Sequence, residues 1–411
     1  MSATLLKMEK EVLEEGREWT RKRLEERLQE AANQIQPVCA QSGVLLKRQH
    51  RANFTLMTVS GIVTIVAIRG YSGATESWHC PVREQWGLAK WARLSPEFEQ
   101  RLAYTGVVSG SYEKAAELSK RWGSPISDDA IHALTQRIPE NNKGVPLPAP
   151  PPPKPQEPKF SLVIMIDGWM ARQRGVDWGA KPELSFQERV SWKEVKSALV
   201  YRLEDRAENA AGRGILIEKK VVAVAPDTDV VTLGAMIQDQ ATRSGMIRAK
   251  EVFIVADGAL WIWNLIDDRF PTATKTLDFY HGSQHLWNLA HHLYPENKKE
   301  AETWVAPLLQ QLRHNPEHRV VHTLEHLLSN HPTDPITQRE VNYFQNHREH
   351  LKYADLAARN APIGSGSMES ACSQFQDRLK RRGQFWSPSG LSNILAIDVA
   401  VKNNTLQFLW N

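Results

Sequence analysis

Two aspartates close apolar runs in the second half of this 411-residue chain, Asp167 at the end of SLVIMID and Asp257 at the end of VFIVAD. Each is followed by glycine, which lets the chain turn sharply where a strand stops. Ligand sites in open α/β sheets gather at the carboxyl ends of strands. Two acidic side chains projected there side by side repel one another unless a cation sits between them, so hard divalent ions with oxygen ligands, Mg2+ or Mn2+, are the natural occupants. A third carboxylate would complete a site for two ions roughly 3.5 to 4 Å apart, which activates an attacking oxygen and stabilises a leaving one in phosphodiester cleavage. Glu369 is the candidate. It lies in PIGSGSMES, where Gly364 and Gly366 suit a flexible turn and Ser367 suits the cap of a helix that aims Glu369 inward. An isolated Asp-Gly is more often a strand end satisfied by backbone amides. Three acids in this order on one scaffold weigh against that reading.

The elements that must position these acids are legible as apolar strands interleaved with helices. Residues 160–169, 194–204 and 214–226 are strand candidates in succession. A helix then fits 229–244, a strand 251–259, a short helix near 260–268, and a strand 274–281 that leads into a helix. Three consecutive strands followed by helix-strand alternation is the order of an RNase H-like α/β layer. From 285 to 355 the composition turns helical and histidine-rich, which predicts an all-helical insertion before a last helix carrying MESACSQFQDRLKR. The expected catalytic domain is therefore RNase H-like and covers residues 160–411.

Upstream, residues 139–159 (PENNKGVPLPAPPPPKPQEPK) read as a semi-rigid proline-rich spacer. Before it the expectation is a mainly helical DNA-binding region with a small β-hairpin. Residues 1–36 carry apolar residues at helical spacing among alternating charges, enough for one or two amphipathic helices. Residues 37–90 hold a β-hairpin over 54–71 turning near Ser60-Gly61, flanked by Cys39 and Cys80. Residues 91–138 are helix-turn-helix-like: a helix, a turn with Gly123 and Pro125, a cap candidate at Ser127, and a second helix with Ile131 and Leu134 inward. His132 and Gln136 on that second helix are the DNA-facing candidates. DNA reading and plain helix packing both fit; Asp128 and Asp129 suit a helix N-terminus but oppose phosphates there.

Composition bounds the rest. A net charge of +4 is too small to establish nucleic-acid binding by itself, so any DNA affinity must come from local clusters. No leader and no apolar run near the roughly 20 residues of a membrane span is visible, which predicts a soluble cytoplasmic protein. Three cysteines are too few for a disulfide framework. The 14 tryptophans have no single physical account.

The chain resembles the DDE transposases of bacterial insertion sequences, particularly the ISKra-type group distantly allied to eukaryotic Mutator-like transposases. The likeness is densest in NYFQNHREHLKYADLAARNAPIGSGSMESACSQFQDRLKRRGQFWSPSG, with IMIDGW and VADGALWIWN matching the two catalytic aspartates and SWKEVKSALVY the segment after the first strand. LDFYHGSQHLW matches an aspartate, two residues, histidine motif, which implies a supporting active-site role for Asp278 and His281. By itself His281 reads as a satisfied core histidine. The resemblance implies a DNA transposase with Asp167, Asp257 and Glu369 as metal-binding carboxylates for two Mg2+ or Mn2+ ions. It further implies recognition of terminal inverted repeats, hydrolysis at transposon ends, and attack of the freed 3′-OH on target DNA. Arg378, Lys380, Arg381 and Arg382 would then neutralise phosphates near the scissile bond; alone they read as a solvated helix end. Synapsis of two ends implies a homodimer or larger assembly on DNA, nucleoid-associated.

One departure concerns zinc. The family usually flanks its hairpin with two cysteine pairs, whereas here Ser42 and Arg83 stand where partners of Cys39 and Cys80 would be. Two thiolates, even helped by His79 or His50, make a poor tetrahedral site, so zinc is not expected. Competing readings are a domesticated, catalytically inactive DNA-binding protein and a nonspecific nuclease. Serine hydrolase chemistry has little support, because PIGSGSM is not a G-x-S-x-G elbow.

Overall fold

The computed structural model describes residues 2–410 apart from 90, 142–146, 151–158, 176–177, 180–184, 209 and 211–213. The chain divides into two compact units, Met1–Asn141 with Leu406–Asn411, and Asn142–Thr405. No helix among the described residues is long and apolar enough to cross a membrane.

In the first unit, α1 (Ser2–Gln34) is one long helix, followed by β1 (Lys47–Thr58), β2 (Gly61–Ser72) and β3 (Ser77–His79) in an antiparallel sheet. β1 starts at Lys47 rather than Phe54, because KRQHRAN lacks the apolar alternation that marks a half-buried strand. The hairpin turns at Val59-Ser60, with Gly61 at φ +110° and Thr58 Oγ1 donating to Gly61 O at 2.8 Å. β3 pairs only with Gly70–Ser72, which leaves the earlier edge of β2 open. Side chains of α1 cover it: Gln29 accepts from Val66 N at 2.7 Å and donates to Val66 O at 3.0 Å, and Glu25 accepts from Thr64 N at 2.9 Å. The helix thus satisfies backbone groups that a neighbouring strand would otherwise take.

Four helices complete this unit, α2 (Pro81–Gln85), α3 (Pro96–Val108), α4 (Tyr112–Arg121) and α5 (Asp128–Asn141). Between α4 and α5 Gly123 takes φ +82°, Ser127 Oγ accepts from Ala130 N at 3.3 Å, and Ile131 and Leu134 are buried. α5 continues through Pro139, so the helix enters the segment expected to be a spacer. Most of the remaining proline-rich run lies outside the described residues. A 3-10 turn at Leu406–Trp410 belongs to this unit, with Trp410 Nε1 donating to Glu99 at 2.9 Å.

The second unit is mixed α/β. Its elements are β4 (Leu162–Arg174), α6 (Phe186–Arg189), β5 (Val190–Arg202), β6 (Arg206–Glu208), β7 (Gly214–Leu216), β8 (Lys220–Val224), α7 (Val230–Arg243), β9 (Val252–Ala256), α8 (Leu260–Arg269) and β10 (Thr274–Leu277). Helices α9 (Phe279–Leu293), α10 (Lys298–His314), α11 (Glu317–Asn330), α12 (Pro335–Asn346), α13 (Tyr353–Ala358), α14 (Gly366–Leu379) and α15 (Pro388–Lys402) follow. The main sheet runs β10-β9-β4-β5-β8, with β4, β9 and β10 mutually parallel and β5 antiparallel to both β4 and β8. The single strand expected at 214–226 is instead two: β7 pairs with β6 in a separate ribbon, and β8 joins the main sheet.

Alternation splits the sheet's side chains. Leu162, Ile164, Ile166, Ile254 and Ala256 belong to a core that also holds residues of α7, α8 and α9 and continues through Leu312, Val341 and Phe344 of the later helices. Each such side chain contributes about 1.5 to 3 kcal/mol on burial. The other face receives α14, whose Phe375 stacks on Trp169 of β4 at 6.2 Å. α15 was not anticipated, and its packing explains why: Leu391, Ile394, Leu395, Ile397 and Ala400 are all buried, leaving no one-sided apolar stripe to read. Asn403 at its end donates to Val221 O and accepts from Val221 N, both at 2.8 Å, closing the open edge of β8.

Candidate active site

Strand register brings the first two acids together. β4 and β9 are parallel neighbours, and Ile166 is paired with Ala256, so Asp167 stands level with Asp257, the residue that follows β9. Asp167 does not end its strand as expected: β4 runs on through Gly168 to Arg174, paired throughout with β5, so Asp167 lies in mid-strand where the pairing with β9 stops. Neighbouring strands lie about 4.8 Å apart. Because Ile166 and Ala256 face the helical core, the residues after them face the opposite side, where α14 lies. Asp167 Oδ1 accepts from Gly168 N at 2.7 Å, and Asp257 Oδ1 accepts from Ala259 N at 2.8 Å at the start of α8.

Glu369 sits in the first turn of α14 and is exposed. One turn on, at the i+3 position, Cys372 is buried with its thiol donating toward Asp167 Oδ2 at 3.9 Å. The same helical face therefore carries Glu369 and Cys372 toward Asp167. Two details of the expected helix start are corrected. α14 begins at Gly366, so Ser367 is inside the helix; Ser365 occupies the cap position and makes no side-chain cap bond. Neither Gly364 nor Gly366 takes a positive φ. Gly364 serves close approach instead: a Cβ there would lie 3.0 Å from the Tyr280 ring and 3.5 Å from Asp278 Oδ1.

Asp278 ties these pieces together. It is fully buried and caps α9 by accepting from His281 N at 3.1 Å. Its Oδ2 takes His281 Nδ1 at 2.7 Å, and its Oδ1 takes Ser365 N at 2.7 Å, the residue before α14. Burial opposes its charge, but these three hydrogen bonds and the imidazole hold its carboxyl below the ordinary range. His281 is raised, first by its bond to Asp278 and further by Asp257 and Asp167, which places it within electrostatic reach of both acids.

Tyr343 of α12 was missed by sequence reasoning because nothing local connects it to the two aspartates. Its ring packs on Gly258, where a Cβ would come within 2.3 Å of it, and stacks on His285 at 3.6 Å. Burial, then the charges of Asp257 and Asp278, push its phenol up. Gly258→Ala cannot be absorbed without displacing a ring held on both sides, so it should cost about 1 to 3 kcal/mol. Denaturant titration checks this; unchanged stability would mean the ring swings freely.

The mutual repulsion is visible in Asp167. Burial, joined by Asp257 and Glu369, pushes its carboxyl up to about 6 from 3.8, against the pull of Gly168 N–H and His281. Ionised Asp167 therefore destabilises the fold. The cost is absent below the ordinary carboxylate pKa, grows as pH rises between the two values, and is complete above about 6. Two units correspond to about 3 kcal/mol. In chelator-treated protein, Asp167→Asn should accordingly raise stability by about 1 to 3 kcal/mol at pH 7.5 and change little near pH 4. Thermal denaturation at both pH values tests this; a loss of stability at pH 7.5 would contradict it.

The basic residues after Glu369 separate. Arg378 is buried, with its guanidinium 5.1 Å over the Trp386 ring and in range of Asp398, so its charge is committed to packing between α14 and α15 and is not presented to phosphate. Lys380 is partly exposed over Trp192 at 5.5 Å, while Arg381 and Arg382 are exposed. Arg172 of β4 holds the backbone of this segment, donating to Lys380 O at 3.1 Å and also to Arg381 O. In the first unit, His132 is exposed with its ring 5.3 Å from Tyr112, and Gln136 is partly buried.

The donor chemistry of Asp167, Asp257 and Glu369 is all oxygen and suits a hard divalent cation. As the side chains stand, no three His, Cys, Asp or Glu among the described residues form a group that could hold a metal ion. Two acids are thus preplaced by the sheet, and the third sits at a helix start with an exposed side chain.

A mixed α/β unit with two acids level across adjacent parallel strands is the class defined by this geometry. No protein-family model and no curated protein matches the chain. Among solved structures, it is similar to the Drosophila P element transposase strand transfer complex at 10% identity, over 79% of this chain and 96% of that one, with a TM-score of 0.38. It is also similar to NurA with manganese at 12% identity, over 73% of this chain and 65% of that one, with a TM-score of 0.13. Likenesses this low leave the fold and the function to be argued from the residues.

Proposed function

We propose that the chain is a DNA transposase that cleaves phosphodiesters at the ends of its element and joins the freed 3′-OH to target DNA. The observation that carries this reading is the level placement of Asp167 and Asp257 on adjacent parallel strands, with α14 bringing Glu369 to the same face. The strand order, three antiparallel strands continued by two parallel ones, is what an RNase H-like domain would have. Helices α9 to α13 fit the proposed insertion, and the first unit fits the proposed DNA-binding region.

In this reading Asp167, Asp257 and Glu369 would hold Mg2+ or Mn2+, which when bound supplies charge to the attacking and leaving oxygens. The chain's own contribution is placement. Asp278 fixes the start of α14, and with it Glu369, to the start of α9, and it orients His281 beside the two aspartates while raising the pKa of the imidazole. Positioning and electrostatics supply the rate in phosphoryl transfer, where little covalent chemistry is asked of the protein. Lys380, Arg381 and Arg382 remain candidates for phosphate contacts, and two synapsed ends call for a dimer or larger assembly on terminal inverted repeats.

A second reading, an inactive DNA-binding descendant of a transposase, draws support from the lack of a ready-made three-ligand group among the described residues. Mg2+-dependent cleavage of a duplex carrying the element's own ends, comparing wild type with Glu369→Gln, separates the two. Cleavage by the wild type alone supports the enzyme. No cleavage by either, with DNA binding intact, supports the inactive descendant.

A further inference from the structure

We infer that the first unit carries a binding site for unpaired DNA bases on one face of its three-stranded sheet, an inference that rests on reading the chain as a DNA-processing protein. Although the whole chain has a net charge of only +4, residues 44–93 contain seven lysines and arginines against two glutamates. The sheet gives that charge a direction. By strand alternation His50 of β1 and Arg69 and Tyr71 of β2 share one face, and Trp78 of β3, paired with Tyr71, joins them.

Trp78 is 45% exposed, with edge contacts to His50 at 5.4 Å and to Tyr71 at 6.0 Å. Arg48 lies over the Tyr71 ring at 5.8 Å. The face opens into a groove of about 570 Å3 whose lining includes Arg69, Arg83, Arg93, Trp78 and Trp91. Trp91 is 82% exposed at its edge. The acid in the lining, Glu84, is bonded to His79 Nδ1 at 2.7 Å, and Arg83 is turned inward over Phe54, donating to Ala89 O and Ala92 O. Arg69 and Arg93 are thus the guanidinium groups at the groove suited to phosphate.

Exposed indoles beside guanidinium groups in a concave setting match one ligand chemistry, a flat aromatic ring on an anionic backbone. A stacked base strengthens binding about 5- to 150-fold and needs only a π-face, while arginines track the phosphates. The groove's volume falls in the range of sites that enclose small flat molecules. Paired bases keep their faces inside the duplex and present edges, so duplex DNA cannot fill such a groove, whereas an unstacked base can. This site differs in kind from a helix in the major groove, the role considered for α5.

The test uses the full chain and fluorescein-labelled oligothymidylate, followed by anisotropy over a salt series. Trp78→Ala with Trp91→Ala should weaken binding about tenfold or more, the loss of one or two stacked bases. Trp78→Phe with Trp91→Phe should keep most of the affinity, which separates lost stacking from lost folding. Arg69→Gln with Arg93→Gln should lower the salt dependence of log affinity by about 0.7 per phosphate contact removed. Affinity unchanged in both the alanine and the glutamine variants overturns the site. An equal loss on intact duplex, or tighter binding of oligouridylate than of oligothymidylate, overturns the assignment to unpaired DNA. Metal-dependent cleavage is scored separately in the same preparations: oligonucleotide binding without cleavage defeats the proposed catalysis and leaves this site standing.

Discussion

Asp167→Asn and Asp257→Asn should each reduce Mg2+-dependent DNA cleavage by about 10³-fold or more while leaving duplex affinity within about twofold. The size follows from what the substitution removes. A divalent ion at a reacting phosphate contributes several kcal/mol, and each 1.36 kcal/mol is tenfold in rate. Asparagine keeps the shape and one acceptor oxygen, so the hydrogen bonds from Gly168 N or Ala259 N persist and the local backbone stays formed. What is lost is the charge that a cation requires. Cleavage and filter-binding assays on the same preparations check both halves; a variant cleaving at the wild-type rate removes that aspartate from the site. Asp167→Asn offers an internal control, because removing the buried charge, whose burial and acidic neighbours raise Asp167 to about 6, makes the inactive, metal-free protein the more stable one.

The second large effect belongs to Asp278. Asp278→Ala strips the buried acceptor from three donors, Ser365 N, His281 N and His281 Nδ1, and unpaired buried donors cost about 1 to 3 kcal/mol each. A stability loss of about 3 kcal/mol or more is expected, with cleavage falling alongside. Asp278→Asn is the more informative change. Asparagine is a good helix cap, so the fold should persist, yet the charge that raises His281 is gone and one face of the amide now donates where Ser365 N needs an acceptor. We expect cleavage to fall about 10- to 100-fold, the range for groups that orient metal ligands. The pKa of His281 should drop toward its ordinary 6.5, a shift that NMR titration would read. Unchanged cleavage with a lowered His281 pKa would make Asp278 a purely structural cap.

Particular residues mark how much was legible in advance. The apolar runs before Asp167 and Asp257 were legible within ten residues, and the glycine after each reads as a strand stop; it marks one for β9, whereas β4 continues past Gly168 to Arg174 because β5 pairs with it throughout. The helix carrying Glu369 was legible, but its start lies two residues earlier than expected, at a contact from Asp278, 87 positions away, that no local pattern encodes. Arg378 looked like part of a solvated basic run; the Trp386 ring that covers it follows on the far side of a turn. α15 was invisible for the opposite reason, since a helix buried on most sides and exposed only along a narrow stripe at Ser389, Ser392 and Ala396 displays little periodicity. Tyr343 and Cys372, both close to the acids, carry ordinary residue types, and only the three-dimensional packing singles them out.

The most direct test of the central claim is transfer of a labelled duplex end, carrying the element's own flanking sequence, into plasmid DNA with Mg2+ present. The account predicts a joined product with the wild type and none with Glu369→Gln. Nicking of either DNA by the wild type without any joined product would contradict it, and would identify a nuclease in place of a transposase.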